Sequence, residues 1–424
     1  VPATRAALSA PDPSYRSLFA LPGLTYVVVA FLGRLPLAMA QIGVLLLVAG
    51  TTGSYGAGGA CAGALAVANA VGAPLWGAWA DRVGQRRVVL IQAWSASVAI
   101  GALLAVAHTD LPWAYSAGAS AVAGFLLPHV GPLARVRWRP ITARFGPRAQ
   151  VRLMRTAFSY EGSADEASFV IGPALVGVVV ALSSPVVALA GAAGLLLVFG
   201  TWFALHPTAR ATRTATAHLT GAGRLVTPAL VVLCLAQVAI GSVFGSVQTG
   251  TSVLATSAGQ PGLTGIFHAL LGIGSVAAGL AVARIPRHVP LPTRQRWFSL
   301  AFLVLSLPLL EVGSLMTLAP ALLVLGLSIA PYMITSFTLG EQVTPPSRVS
   351  AAMTLLAASG GLGYAAGAAL AGGLADHGGH TPAFAVTVAA GVLAVTIAWG
   401  GAGLLGRAET ATRHRPLVVN TVQP

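Results

Sequence analysis

The chain has 424 residues, 56% of them hydrophobic and only 8% charged, with a formal net charge of +14. A soluble domain carries about 25% charged residues, so this chain cannot cover a water-facing surface, and disorder, which needs low hydrophobicity, is excluded as well. Long continuous apolar runs replace the alternating segments of about ten residues that mark a membrane barrel, which leaves an all-α polytopic membrane protein.

A spanning helix needs about 20 apolar residues, and twelve stretches qualify. In the first half they fall at 19–48, 55–80, 87–107, 112–134, 157–181 and 185–205. In the second half they fall at 226–254, 261–283, 297–312, 317–341, 350–375 and 381–405. The first run begins near Leu18 and carries Arg34 and Pro36 in its middle. That reads as a spanning helix and not as the apolar core of a cleavable signal peptide. The one long polar connection, His206–Leu225, contains no acid and divides the runs six and six. The expected organisation is a six-helix bundle over 1–205, a linker over 206–225, a second bundle over 226–406 and a tail over 407–424.

All 24 basic residues are arginine, and 23 of them fall before the first run, in the even-to-odd connections or in the tail. The odd-to-even connections carry none. Basic residues concentrate on cytoplasmic loops, so both termini are expected in the cytoplasm of a bacterial cell, with the chain in its cytoplasmic membrane. The charge thereby reports orientation, and no nucleic-acid partner is expected. Cys61 and Cys234 lie inside apolar runs without metal or redox spacing, and read as small hydrophobes. No phosphate-binding loop, nucleophile elbow or metal cluster is present, so no cofactor, metal or enzymatic activity is expected.

Between the second and third runs the chain reads Gly77-Ala78-Trp79-Ala80-Asp81-Arg82-Val83-Gly84-Gln85-Arg86-Arg87. Gly77 lets a helix approach closely, Gly84 permits a tight turn, and Asp81 suits a helix N-terminus. This segment resembles G-x-L-A-D-R-x-G-R-R, motif A of the major facilitator superfamily, with Trp79 in place of Leu and Gln85 in place of a basic residue. The resemblance implies two six-helix bundles that rock around a central cavity. It also implies that Asp81, with Arg82, Arg86 and Arg87, holds the cytoplasmic ends together against the start of the eleventh span, near Ser350–Thr354. The corresponding second-half loop, Arg284–Arg296, contains no acid.

In the fifth span, Gly172-Pro173 followed by Gly177 implies a kink with close packing. It resembles the G-P-x-x-G core of the antiporter motif of exporters in that superfamily, with Ser168 where an upstream glycine is usual and with Gly177 one residue later than the core spacing. Three of only ten acids, Glu161, Asp165 and Glu166, lie in this same span, about 6 to 14 Å from its cytoplasmic end. Glu161 and Asp165 share a face; Glu166 is rotated away. Arg34, in the middle of the first span, needs a partner there, because a charge at the bilayer centre costs at least about 2.5–3.5 kcal/mol. By the resemblance, the first and fifth spans are neighbours, so Arg34 is expected to pair with Asp165 or Glu166, one of which would carry a coupling proton.

Arg135 is nearest the basic position of a further antiporter motif, but lies at the cytoplasmic boundary, where anchoring is the expected role. Gln41, His129, Gln248, His268, Tyr332 and Ser336 are candidate cavity positions. The expected protein is a monomeric secondary transporter embedded in lipid that exports a small amphipathic organic molecule in exchange for protons. The alternative is proton-coupled uptake of a sugar, organic acid or nucleoside.

Overall fold

The computed structural model describes residues 15–210, 226–282, 285, 289–345 and 348–413; within these, the side chains of 81, 147, 148, 151, 155, 158, 159, 166, 349–351 and 411–413 lie outside the described set. The motif-A acid Asp81, the helix-five acid Glu166 and most of the 206–225 linker therefore fall outside what is described below. All regular structure among the described residues is helical.

After a short helix at Tyr15–Ala20, the membrane helices are α1 (Leu24–Thr52), α2 (Tyr55–Val83), α3 (Gln85–Val106), α4 (Trp113–Thr142), α5 (Pro147–Leu182) and α6 (Pro185–Leu205). The second set is α7 (Pro228–Ser257), α8 (Leu263–Val282), α9 (Leu291–Ser306), α10 (Leu315–Val343), α11 (Val349–Gly378) and α12 (His380–Gly400), and α13 (Ala402–Arg413) follows. Eleven of the twelve are long and apolar enough to cross a membrane. The exception is α9, with 16 residues continued by a 3-10 segment, Leu307–Glu311. It starts earlier than the sequence suggested because Pro290 and Pro292 favour a helix start, and Pro308, with no N–H, ends the α-ladder. Side-chain caps set four starts: Ser54, Ser184, Thr227 and Ser314 accept from the backbone N–H groups of Ala57, Val187, Leu230 and Thr317.

The loop expected between the fourth and fifth spans shrinks to residues 143–146, because α4 runs to Thr142 and α5 starts at Pro147. Arg135, Arg137, Arg139 and Arg152, expected in that loop, stand on helices instead.

Helix pairing in the first six recurs, shifted by six, in the last six. The contacts α1–α5, α1–α6, α2–α4, α3–α4 and α3–α6 are matched by α7–α11, α7–α12, α8–α10, α9–α10 and α9–α12. Between the halves, α2 packs on α11 and α5 on α8. Small residues make both seams. A Cβ on Gly59 would run into the carbonyl of Ala368, and one on Gly63 would lie 3.1 Å from the Cα of Ala365. Gly177 and Gly265 likewise bring α5 and α8 backbone to backbone, beside the Pro173 carbonyl, while Gly172 packs on Ala38 of α1.

These seams run from the arginine-poor end to about mid-depth, where Gly361 meets Ala66 and Ala70. Nearer the arginine-rich end, a Cβ on Gly77 would meet nothing within 4 Å, and Val71 and Leu75 are more than half exposed. Gly77 was expected at a close helix approach; in this conformation it has none, because the glycine contacts between α2 and α11 end above it.

Candidate functional site

Two broken helices build the site. The α1 ladder is interrupted at Gly33–Arg34, with Pro36 just beyond. The break frees the Ala30 carbonyl, which accepts from Arg34 Nη1 at 3.0 Å. The α4 ladder is interrupted at Leu127–His129, around Pro128. Its freed carbonyls are capped from α2: Asn69 Nδ2 donates to Gly124 and Leu127 at 2.9 and 3.1 Å, and Trp76 Nε1 donates to Phe125 at 2.7 Å. Buried backbone oxygens without partners are costly, so these two side chains make the break tolerable. After it, α4 turns Arg135 and Trp138 toward α5.

The result is an ion cluster shared by α1, α4 and α5. Arg34 Nε donates to Asp165 Oδ1 at 2.8 Å and Arg34 Nη2 to Glu161 Oε2. Trp138 Nε1 donates to Glu161 Oε1 at 2.6 Å, and Arg135 Nη2 to Asp165 Oδ2 at 2.6 Å. Two guanidinium groups thus face two carboxylates, and the formal charge cancels. The planar Arg34 fork serves two acids at once, which a lysine cannot do in this geometry. Gly131 makes room for the Asp165 carboxylate, since a Cβ there would strike it. Access is graded: the Glu161 side chain is 0% exposed and that of Arg34 3%, while Asp165 is 27% and Arg135 37% exposed. One pair is sealed and one opens toward solvent.

The pairing of Arg34 with helix five was foreseen, as was the common face of Glu161 and Asp165. Arg135 was not: expected as a boundary anchor, it holds the second oxygen of Asp165. Trp138 also went unnoticed, although Arg135-Val136-Arg137-Trp138 sets Arg135 and Trp138 three apart, on one helical face. Arg137, counted as an orienting loop charge, is fully buried. It donates to Gln85 Oε1 at 2.9 Å, to the Phe203 carbonyl at 2.8 Å and to Thr208 Oγ1 at 3.2 Å, with its guanidinium 3.5 Å from the Phe203 ring centre. Phe203 lies in the last turn of α6, where a cation offsets the helix dipole. Arg137 therefore ties the α6 terminus to α4, and no carboxylate pairs with it among the described residues.

The candidate cavity residues divide. His129 Nε2 and His268 Nδ1 are buried and have no hydrogen-bond partner among the described residues. Gln248 Nε2 and the Tyr364 hydroxyl, which sequence reading missed, are buried beside each other without a well-formed hydrogen bond. His268 stands beside Phe244, with ring centres 6.3 Å apart. Gln41 is partly exposed. Tyr332 and Ser336 are instead packing groups at 0% exposure: the Tyr332 hydroxyl donates to the Ala236 carbonyl at 3.4 Å, and Ser336 accepts from Gln295 Nε2 at 2.8 Å. Arg82, Arg86 and Arg87 are exposed or partly exposed, and Gly84, with φ +95°, forms the turn between α2 and α3.

No family model and no curated protein sequence matches the chain. Solved structures do. The nucleoside transporter NupG superposes with a TM-score of 0.66 at 16% identity, covering 93% of this chain and 100% of that one. A bacterial homolog of the human lysosomal transporter Spinster, in an inward-facing and unoccupied conformation, gives 0.66 at 12% identity over 95% and 100%. The human organic anion transporter MFSD10 gives 0.59 at 18% over 88% and 98%. These are transporters of the major facilitator type, and the chain has the major facilitator fold.

Proposed function

We propose that the chain is a secondary active transporter of the major facilitator superfamily that exports a small amphipathic organic molecule in exchange for protons. The bundles 1–205 and 226–406 rock about the seams α2–α11 and α5–α8. The positive-inside rule puts the arginine-rich end in the cytoplasm; the seams then close the outer side, and the conformation is inward-facing.

The observation that carries the reading is the Arg34–Glu161–Asp165–Arg135 cluster. A carboxylate's hold on a proton depends on its burial and on facing charges. Asp165 is the member whose surroundings change most readily, because it is partly exposed and shared between Arg34 on α1 and Arg135 on α4. Tilting of the α4 segment after its break alters the Arg135 contact, so Asp165 is the acid to which we assign the coupling proton. Glu161 stays sealed and keeps Arg34 in place. Export is favoured over uptake by the Gly172-Pro173 and Gly177 segment, packed between α1 and α8, and the scarcity of charged residues in the spans favours an amphipathic substrate.

The test uses proteoliposomes enclosing a pH-sensitive dye, with ethidium as an amphipathic probe and uridine as a nucleoside probe. Antiport moves protons against the probe and symport moves them with it. Asp165→Asn is expected to abolish the proton signal. Undiminished proton flux in that variant refutes the assignment, and proton movement in step with uridine establishes the uptake alternative.

A further inference from the structure

Asp376, placed by sequence in an outer loop, lies two residues before the end of α11, and its carboxylate reaches into the other half of the molecule. Ser54 Oγ donates to Oδ2 at 2.6 Å, the Tyr55 N–H to Oδ1 at 2.7 Å, and the Gly56 N–H to Oδ2 at 3.0 Å. Those two N–H groups belong to the first turn of α2, where no intrahelical acceptor exists and the helix dipole favours a negative charge. Gly56 is required for the approach: a Cβ there would lie 2.8 Å from Asp376 Oδ2 and 3.5 Å from the Gly373 backbone.

The same local sequence stands at the other end of the helix pair. Gly372-Gly373-Leu374-Ala375-Asp376-His377-Gly378-Gly379 repeats the glycine, Ala-Asp, basic residue and closing glycine of Gly77-Ala78-Trp79-Ala80-Asp81-Arg82-Val83-Gly84, in identical spacing. The two copies also end alike. Gly84 and Gly379 both have positive φ, +95° and +74°, and their N–H groups donate to Ala80 and Ala375, each at 2.9 Å. Along the α2–α11 seam the contacts pass from Gly56 with Gly373, through Gly59 with Ala368, to Gly63 with Ala365, so the helices run antiparallel. The Asp376 copy therefore sits at the C-terminal end of α11 beside the N-terminus of α2, and the other copy lies at the C-terminal end of α2, the end of the pair at which α11 begins.

We propose that Asp376 is a latch that holds the arginine-poor end shut by capping α2, and that it works in opposition to the Asp81 copy, one latch being engaged at a time. Matched chemistry at the two ends keeps the two conformations close in free energy, so small differential contacts with a ligand shift the population. The opposition rests on the rocking-bundle reading, but it is tested without any substrate.

The experiment measures spin–spin distances in the full-length protein in lipid nanodiscs, with Cys61 and Cys234 replaced by alanine. One label pair, at Leu182 and Met316, uses side chains 83% and 87% exposed at the arginine-poor end; the other, at Arg87 and Trp297, reports the opposite end. Asp376→Ala is expected to raise the population with a long Leu182–Met316 distance about tenfold and to shorten the Arg87–Trp297 distance. Gly56→Ala is expected to do the same with Asp376 intact, which carries the test if the first variant misfolds. Asp81→Ala is expected to shift the ratio the other way, which general destabilisation does not predict. Two wild-type populations whose ratio ignores both Asp376→Ala and Gly56→Ala overturn the latch and leave the rocking bundles standing. A shifted ratio with proton flux intact in Asp165→Asn upholds the latch and refutes the coupling assignment.

Discussion

Arg34, Arg137 and Glu161 are buried in the first six helices, whereas the buried polar side chains of α7–α12 are glutamines, serines, threonines and His268. The two halves repeat the same helix contacts and use them differently. In the first, Arg34 and Glu161 are met by opposite charge, a freed carbonyl and an indole N–H, and Arg137 by carbonyl, amide and hydroxyl oxygens, with its Nη2 left unpartnered among the described residues. In the second the buried polar groups are neutral, and Gln248 Nε2 and His268 Nδ1 make no well-formed hydrogen bond among the described residues, as is also true of His129 Nε2 in the first. Ionised groups in a low dielectric are costly unless paired; an unpartnered neutral amide or imidazole costs less, about 1–3 kcal/mol, which a ligand's hydrogen bond can recover. On the function proposed above, proton coupling falls to the charged first half, and the neutral buried groups of the second, with His129 of the first, are left to hydrogen-bond a substrate.

The sharpest way to break that division is at Glu161. Truncation to alanine strips the sealed side of the Arg34 fork and leaves a buried guanidinium half-paired, so a stability loss of about 3–5 kcal/mol is expected, read by chemical unfolding in detergent, together with loss of transport in proteoliposomes. Arg34→Lys keeps the charge but cannot reach both acids; about 1–3 kcal/mol should be lost, and proton-coupled flux should fall by more than that stability loss explains. In the other half, Gln248→Met removes a buried, unpartnered amide with little change of shape, so stability should move by less than about 1 kcal/mol while the KM for substrate rises. A loss as large as that of Glu161→Ala would end the assignment of roles. The smallest effect is at His206, beyond the end of α6, where burial, assisted by the Arg137 charge, holds the imidazole pKa below its usual value. A lowered histidine contributes stability while neutral and loses it as pH falls below about 6.5. His206→Asn should therefore flatten the fall in melting temperature between pH 7 and pH 5.

The topology was legible because bilayer burial demands long apolar runs and because the arginines alternate by side; both are one-dimensional signals. Arg34 with Asp165 was legible for a related reason, since a charge in mid-membrane needs a partner and acids are few. The rest depends on helix breaks. Nothing in the hydropathy of α4 shows that its ladder stops at Pro128 and turns Arg135 and Trp138 inward, so Arg135 looked like an anchor. Arg137 was misplaced because an arginine near a boundary is ordinarily a surface charge, and its carbonyl acceptor lies at Phe203, 66 residues along the chain. Asp376 lies one residue past the expected 350–375 span, and its acceptor role exists only when the two halves meet.

The brevity of α9 bears on the lipid around it. Sixteen α-helical residues rise only about 24 Å, against a hydrocarbon core of about 30 Å. At the arginine-rich end of this helix, Trp297 and Trp399 stand with ring centres 6.5 Å apart, and Arg296 lies over the Trp399 ring, an arrangement that fixes depth at the headgroup level. The five residues of the 3-10 extension, rising about 2.0 Å each, add about 10 Å, so α9 reaches the far interface only through that extension. The span on this flank thereby depends on Pro308, whose missing N–H gives way to the longer rise of the 3-10 segment.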